Sequence, residues 1–178
     1  MIPLLVISGP IGVGKTTVSE EISNLLVEEG VSHTLLDLDV LAETYPRPSD
    51  DRFGDKLAIQ NLSAIWGNCR NAGSRNLIIP RVIEKTTDLS EIVSAVPDSA
   101  PTLCQLRGSD ETLMERVRKR EIGSGYMRHE KRSLELSRIL KLSAPFDFVV
   151  ETDGRSVIDL AMEISNKMSW NTYTITGG

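Results

Sequence analysis

Several features that mark specialised classes of protein are scarce in this sequence. Cysteine occurs only twice, at Cys69 and Cys104, without metal-ligand spacing and within apolar patterns, so we expect two buried free thiols. No stretch approaches the roughly 18 apolar residues that cross a bilayer. The apolar residues 1–7 lack a preceding basic segment, which favours a core strand over a signal peptide. These absences argue against a cysteine metal site and a membrane anchor, and they predict a cytoplasmic protein.

An excess of positive charge is also missing. The formal net charge of the 178 residues is -5 at pH 7, which argues against a general nucleic-acid-binding protein. The charge is uneven, however. Residues 113–141 contain nine Lys or Arg against four Glu, so this segment is +5 and the rest of the chain is -10. A basic segment within an acidic chain indicates a localised anion, such as a triphosphate, and not a long polyanion.

Short apolar runs alternate along the chain with segments of helical periodicity. The apolar runs cover residues 2–7, 34–38, 76–83, 101–106 and 146–150. This alternation predicts an α/β fold with a parallel sheet, helices on both faces and a ligand beyond the carboxyl ends of the strands. The length and the lack of internal repeats predict a single domain over 1–170, followed by a flexible tail over 171–178.

A glycine-rich motif of the form Gly-x4-Gly-Lys-Thr begins directly after the first apolar run. It follows a predicted strand and opens a predicted helix, which is the context of a P-loop. The glycines let the backbone approach phosphate oxygens, Lys15 brings a positive charge to the β- and γ-phosphates, and the Thr16 hydroxyl is a ligand for Mg²⁺. The motif therefore predicts binding of ATP with Mg²⁺. The expected nucleotide contacts are Gly9, Ile11, Gly12, Val13, Gly14, Lys15, Thr16 and Thr17.

The sequence resembles the P-loop small-molecule kinases, such as shikimate, gluconate and adenylylsulfate kinases and chloramphenicol phosphotransferase, and more distantly the adenylate kinases. The resemblance rests on the P-loop, on Asp37-Leu38-Asp39, on Arg116-x3-Arg120 and on Thr152-Asp153-Gly154-Arg155. It implies a three-layer α/β/α sandwich of the P-loop NTPase type, with five parallel strands in the order 2-3-1-4-5. It also implies a small mobile lid near 121–130 and an acceptor-binding region near 45–72.

Two carboxylates, Asp37 and Asp39, follow the second apolar run. We expect these two carboxylates at the strand end to point to opposite faces, unless the strand has already turned, so that one faces the metal and the other faces the acceptor. A phosphoryl acceptor needs a carboxylate that orients its hydroxyl and takes its proton. The resemblance assigns Asp37 to Mg²⁺, through a water molecule, and Asp39 to the acceptor hydroxyl as a catalytic residue. Alternatively, one of the two carboxylates only caps the helix that follows.

The third apolar run ends in Pro80-Arg81 and lacks the terminal Asp of a Walker B motif, so the metal contact moves to Asp37. An adenylate-kinase-like Asp-Gly-Phe-Pro-Arg stretch is missing too, which lowers the case for a nucleotide kinase. Arg81 is expected to face the crevice. Two interpretations of it stay open, since it either binds an anionic or polar group of the substrate or forms a surface salt bridge.

The basic segment contains Arg116 and Arg120, which are four residues apart and lie on one face of a helix. The resemblance places Arg116 against the adenine and makes Arg120 a catalytic arginine on the transferred phosphoryl group. Arg128 is a further candidate for a phosphate contact in the lid. Arg155 lies in the loop near the adenine and is included among the ATP-binding candidates.

These residues predict an ATP-dependent kinase that transfers the γ-phosphoryl group to a hydroxyl of a small molecule, either a metabolite or an antibiotic. Two alternatives stay open: a nucleoside or nucleotide kinase, and a P-loop module that hydrolyses nucleotide and signals to a partner. Against the module, the sequence has no guanine-recognition Asn-Lys-x-Asp. The expected partner is a small-molecule acceptor, without nucleic acid or membrane, and the expected assembly is a monomer or homodimer.

Overall fold

The computed structural model describes residues 1–51, 53–120, 126–142 and 146–171, with only the backbone described for residue 120 and for 126–129. Strands and helices alternate along these ranges, as the apolar runs predict. The strands are β1 (Ile2–Ser8), β2 (Thr34–Leu35), β3 (Leu77–Pro80), β4 (Ser99–Arg107) and β5 (Phe148–Glu151). The helices are α1 (Lys15–Glu28), α2 (Leu38–Leu41), α3 (Asp55–Asn71), α4 (Thr86–Ala95), α5 (Asp110–Arg120), α6 (Tyr126–Leu142) and α7 (Val157–Ser165).

The five strands form one sheet in the order β2-β3-β1-β4-β5, and every pair is parallel. The predicted fold class and strand order are therefore confirmed. β1 lies at the centre, where Leu5 pairs with Ile78 of β3 and with Thr102 of β4. All strands end at the same edge of the sheet, so the loops after β1, β2, β3 and β5 share one side of the molecule.

Side chains of the central strand divide the core into two layers. Leu4 and Val6 pack on one face with residues of α3 and α4, including Trp66 and Ile92. Leu5 and Ile7 pack on the other face with residues of α1, α5 and α7. Because β1 is covered on both faces, all seven of its residues are buried and it reads as a continuous apolar run.

The helix ends follow local signals in most places. Ser156 caps α7 by accepting a hydrogen bond from the Asp159 amide at 3.1 Å. The start of α3 depends on a glycine instead. The helix begins at Asp55, after Gly54, whose φ is +76°. A Cβ at Gly54 would lie 2.9 Å from the Ala42 side chain, so glycine lets this turn pack closely against the end of α2.

The described end of the chain is hydrogen-bonded to Asn76, just before β3. Asn171, the first residue of the predicted tail, donates its amide to Oδ1 of Asn76 at 2.9 Å, and Asn76 Nδ2 donates to the Asn171 carbonyl at 3.0 Å. The rest of the tail, 172–178, lies outside the described residues.

Both thiols are free, with Cys104 buried on β4 and Cys69 half-buried on α3. Burial raises the pKa of the Cys104 thiol to about 12. Within the described ranges, no helix has the length and apolarity to span a membrane.

Candidate nucleotide and acceptor site

The P-loop connects β1 to α1 and depends on glycines at two close approaches. A Cβ at Gly9, where φ is +151°, would lie 2.7 Å from the Leu106 carbonyl oxygen of β4. A Cβ at Gly12, where φ is +82°, would lie 2.8 Å from a methyl group of Val117 on α5. Side chains at these positions would push the loop away from the sheet and from α5, so the glycines fix the path of the backbone.

Lys15, the first residue of α1, folds back over the loop. Its ammonium group donates to the carbonyls of Gly9 at 2.9 Å and Pro10 at 3.1 Å. The positive charge therefore lies over the mouth of the loop, at the N-terminus of a 14-residue helix whose free amides also favour an anion. This arrangement is suited to a phosphate group, and the contact of Lys15 with the β- and γ-phosphates stays a prediction.

Thr16 and Asp37 come together from different parts of the chain. The Thr16 hydroxyl donates to Oδ2 of Asp37 at 3.1 Å, while Oδ1 of Asp37 accepts from the Asp39 amide at 2.9 Å. Asp37 is thus both the N-cap of α2 and a neighbour of the P-loop hydroxyl, so the two interpretations of this residue are compatible. A hydroxyl and a carboxylate are hard oxygen ligands of the kind Mg²⁺ prefers, and these two residues fit that ion.

Asp39 lies in the first turn of α2 and faces a different partner. The idea that strand geometry would direct the two carboxylates is wrong, because β2 ends at Leu35 and both aspartates lie beyond it. They separate because Asp37 caps the helix and Asp39 is inside it. One end of the Arg81 guanidinium pairs with Asp39 and the other end pairs with Asp55.

Arg81 follows β3, and its amide donates to the Ile7 carbonyl at 3.0 Å, which fixes it beside β1. Its side chain is only 17% exposed, whereas those of Asp39 and Asp55 are 67% and 54% exposed. The ion pair links the ends of three elements, α2, β3 and α3. Sequence analysis missed Asp55, because nothing in the local sequence indicates that the start of α3 lies against the end of β3.

Arg116 of α5 connects the P-loop with the loop after β5. Its guanidinium donates to the Val13 carbonyl at 3.0 Å, and to the hydroxyl and carbonyl oxygens of Thr152 at 3.1 and 3.3 Å. Thr152 is fully buried. Arg116 therefore lies between the P-loop and the loop after β5, and its contact with an adenine stays a prediction.

A cavity of about 260 Å³ opens beside Arg116. Its walls combine P-loop backbone with apolar side chains of α1 and α7, a composition suited to a flat ring with polar edges. Arg155 borders it but is held by Glu163 at 2.6 Å. The residues lining this cavity are Gly12, Val13, Gly14, Thr17, Val18, Arg116, Arg155, Val157 and Leu160.

Asp153 holds the start of α5 near this cavity. Its carboxylate accepts from the Ser109 amide at 2.9 Å. Burial raises the pKa of Asp153, but hydrogen bonds from Ser109 and Thr112 outweigh it, with a smaller contribution from Arg116, so the pKa lies below its usual range. The bond therefore fixes the helix that carries Arg116.

The basic segment contains several charges that are already paired. Arg118 pairs with Glu130 at 3.0 Å and Lys119 with Glu115 at 2.6 Å, as expected for a solvated helical face. The side chains of Arg120 and Arg128, and residues 121–125 of the predicted lid, lie outside the described residues.

Helix α6 contacts the P-loop directly. The Ser133 hydroxyl donates to the Ile11 carbonyl at 2.6 Å, a contact that no sequence motif indicates. Arg132 pairs with Glu84, beyond the end of β3, and with Glu135 at 3.1 Å. The helix after the predicted lid is thereby held between the P-loop and the third strand.

Comparison with known proteins finds solved structures with a similar fold. No family model matches the sequence, and no curated protein matches it. Among solved structures, a gluconokinase from Sinorhizobium meliloti 1021 is similar at a TM-score of 0.61 and 19% identity, over 92% of this chain and 90% of that one. A tunicamycin resistance protein from Deinococcus radiodurans also has a TM-score of 0.61 at 19% identity, over 94% and 95%.

A shikimate kinase from Acinetobacter baumannii is similar at a TM-score of 0.52 and 16% identity, over 92% of this chain and 90% of that one. Identities this low establish the fold alone. Together with the strand order, they show that the chain has the fold of the P-loop small-molecule kinases.

Proposed function

We propose that this protein is an ATP- and Mg²⁺-dependent kinase that phosphorylates a hydroxyl group of a small molecule. The observation that carries the proposal is the Thr16–Asp37 contact with Asp39 one half-turn further along. In this proposal the Thr16 hydroxyl and the Asp37 carboxylate beside it hold the metal, and Asp39 meets the acceptor. Similar folds in proteins named gluconokinase and shikimate kinase support the same class of reaction.

The nucleotide half of the site would hold ATP through backbone and cations. The amides of the P-loop and the ammonium group of Lys15 bind the phosphates once Lys15 exchanges its carbonyl partners for phosphate oxygens. Arg116 and the cavity beside it receive the base. Thr16 and Asp37 would hold Mg²⁺, with Asp37 acting through water, and the ion offsets negative charge on the phosphates.

The acceptor half would depend on Asp39. A substrate hydroxyl that reaches Asp39 gives it a proton, the oxygen bonds to the γ-phosphorus, and the bond from that phosphorus to the bridging oxygen breaks to release ADP. Asp39 would first release its contact with Arg81. Arg120, four residues beyond Arg116, is proposed to stabilise the charge on the transferred group.

A coupled assay of ADP release tests this function. Purified protein with Mg²⁺ and ATP is mixed with a panel of sugars, sugar acids, polyols and hydroxylated antibiotics, and with nucleosides as a separate group. Acceptor-dependent ADP release, abolished by Lys15→Ala, is the expected result. Release that no acceptor changes would instead indicate a hydrolysing module, and stimulation only by nucleosides would indicate a nucleoside kinase.

A further inference from the structure

We propose that the acceptor of this enzyme is a neutral or amine-bearing hydroxyl compound, and that the contact of Arg81 with Asp55 makes the pocket reject carboxylate acceptors. This inference rests on the proposed kinase function, because it concerns the substrate class of the same site. Among the described side chains, Arg81 is a cation in contact with Asp39, and it is the evident candidate for binding an acidic substrate. The structure assigns it a different role.

The guanidinium group of Arg81 already has a carboxylate at each end. Asp39 occupies one end and Asp55 the other, and the arginine is largely shielded while both carboxylates face solvent. The three groups together carry a charge of -1. A substrate carboxylate that approached Arg81 would therefore meet two exposed negative charges before it reached the largely shielded positive one.

The second arginine near the end of β3 is compensated in the same way. Arg132 contacts Glu84 and Glu135, so its charge is also shared between two carboxylates. In the described part of the chain around the end of β3, these two arginines thus contact four carboxylates. The excess of negative charge favours an acceptor that donates hydrogen bonds or carries an ammonium group.

The chain between β2 and the first turns of α3 extends this pattern. Residues 37–60 contain six Asp or Glu against three Lys or Arg, a net charge of -3, in contrast with +5 for residues 113–141. The same segment exposes Tyr45, at 97%, and Phe53, at 70%. Aromatic faces attract sugar-like rings and ammonium groups and do not attract carboxylates.

The ion pair also explains how the acceptor gains access to Asp39. A hydroxyl or ammonium donor can replace one N–H of Arg81 on Asp39, while Asp55 keeps the arginine in place. A carboxylate has no proton to donate and leaves Asp39 on Arg81. Asp55 is thus a positioning residue, since it acts through Arg81 and does not touch the reacting atoms.

The first arm of the test uses three probes with one six-carbon skeleton. Gluconate is the anion, sorbitol the neutral form and glucamine the amine, and each is added to wild-type protein and to Asp55→Asn with Mg²⁺ and ATP. We expect gluconate to give the lowest kcat/KM in wild-type protein. The ratio of kcat/KM for sorbitol to kcat/KM for gluconate should be about fivefold smaller in Asp55→Asn, because one partly exposed charge has an effect of this size. Preference for gluconate in wild-type protein would overturn the inference.

The second arm needs no turnover, so it separates this inference from the proposed function. The Arg81 side-chain N–H signals are followed by NMR while acetate, the minimal carboxylate, is added to protein saturated with a non-hydrolysable ATP analogue and Mg²⁺. We expect them to shift in Asp55→Asn and to stay unchanged in wild-type protein.

The matched control for both arms is Asp50→Asn, which removes the same charge from an exposed pair with Lys56 on the same segment. It should behave as the wild-type protein does. Equal acetate shifts in wild-type and Asp55→Asn protein would refute the role of Asp55 whether or not any probe is phosphorylated. An absence of acceptor-dependent transfer together with the expected shifts would count against the kinase proposal alone.

Discussion

The proposed nucleotide side and the proposed acceptor side of this site hold their cations by different kinds of contact. On the nucleotide side the cations contact backbone oxygens: Lys15 binds the carbonyls of Gly9 and Pro10, and Arg116 binds those of Val13 and Thr152. On the acceptor side, the described partners of the Arg81 side chain are two carboxylates, those of Asp39 and Asp55. The first arrangement depends on the path of the chain, and the second depends on individual residues that single substitutions can change.

This difference explains why one side is recognisable from sequence and the other is not. A backbone cradle for phosphate requires glycines at fixed spacing, because a Cβ at Gly9 or Gly12 meets neighbouring atoms below 3 Å. An acceptor pocket of ion pairs has no such constraint on spacing. The four predictions that follow, from the largest expected effect to the smallest, test whether the two sides act separately.

Asp39→Asn should have the largest effect and should leave the nucleotide side intact. It keeps the shape of the side chain and removes the proposed base, so kcat should fall by about 10²–10⁴-fold. Steady-state kinetics with the best acceptor of the panel measures this, and titration calorimetry with an ATP analogue should give near wild-type affinity. If Asp39→Asn keeps more than about a tenth of the wild-type rate, the loss is far smaller than removal of a catalytic base produces. Asp39 would then have no role in proton transfer.

Lys15→Ala should have the second-largest effect, and this effect should fall on the nucleotide side. Loss of a preorganised cation on the transferred phosphoryl group costs about 10²–10³-fold in turnover. We also expect weaker ATP binding, with acceptor binding unchanged. Lys56→Ala removes a lysine from a surface pair with Asp50 and serves as the control. Wild-type ATP affinity together with unchanged turnover in Lys15→Ala would contradict the proposed phosphate site.

Arg116→Ala should weaken ATP binding by about tenfold, because it removes charge-assisted contacts and leaves Thr152 without them. Arg118→Ala is a matched control, since Arg118 lies on the same helix and pairs with Glu130 on the exposed face. Calorimetry with ATP and ADP compares the two variants. Equal losses in both would mean that general positive charge, and not the position of Arg116, supports binding.

Asp153→Asn should have the smallest effect, a loss of about 1 kcal/mol or less in stability, because it weakens the hydrogen bond to the start of α5. The pKa of Asp153 is lowered in the folded protein, so its contribution is present above the unfolded pKa near 4 and is lost as the pH falls through the folded pKa. Thermal unfolding at neutral pH should therefore separate the variant from wild type, and unfolding near pH 3 should separate them less. A stability difference between the variant and wild type that grows on acidification would contradict the lowered pKa of Asp153.

Much of the fold follows from the sequence, and the site follows in part. The five strands, the P-loop and the Ser156 cap depend on residues close together in the chain, so their patterns are visible locally. The partners of Arg81 and Arg132 are not visible in this way. Asp55 lies 26 positions from Arg81 and Glu84 lies 48 positions from Arg132, and only the packing of α3 and α6 brings them together.

Asp37 contacts the Thr16 hydroxyl through a geometry that differs from the expected one. We expected its separation from Asp39 to follow from strand geometry, yet β2 is two residues long and the separation comes from a helix cap. A strand of this length leaves little period-2 signal, because it contains only one residue for each face of the sheet. The side chains of Arg120 and Arg128 lie outside the described part of the chain, so their roles stay predictions.

The two thiols differ enough to make the native protein its own labelling scaffold. Cys104 is enclosed in the sheet and its pKa is about 12, so almost none of it is thiolate at the pH of a maleimide reaction. Cys69 is half-buried on α3, the helix whose first residue is Asp55. We expect one dye per folded molecule, attached at Cys69 and about 21 Å along the helix from the ion pair. Fluorescence of that dye would then report movement of the acceptor side without an engineered cysteine.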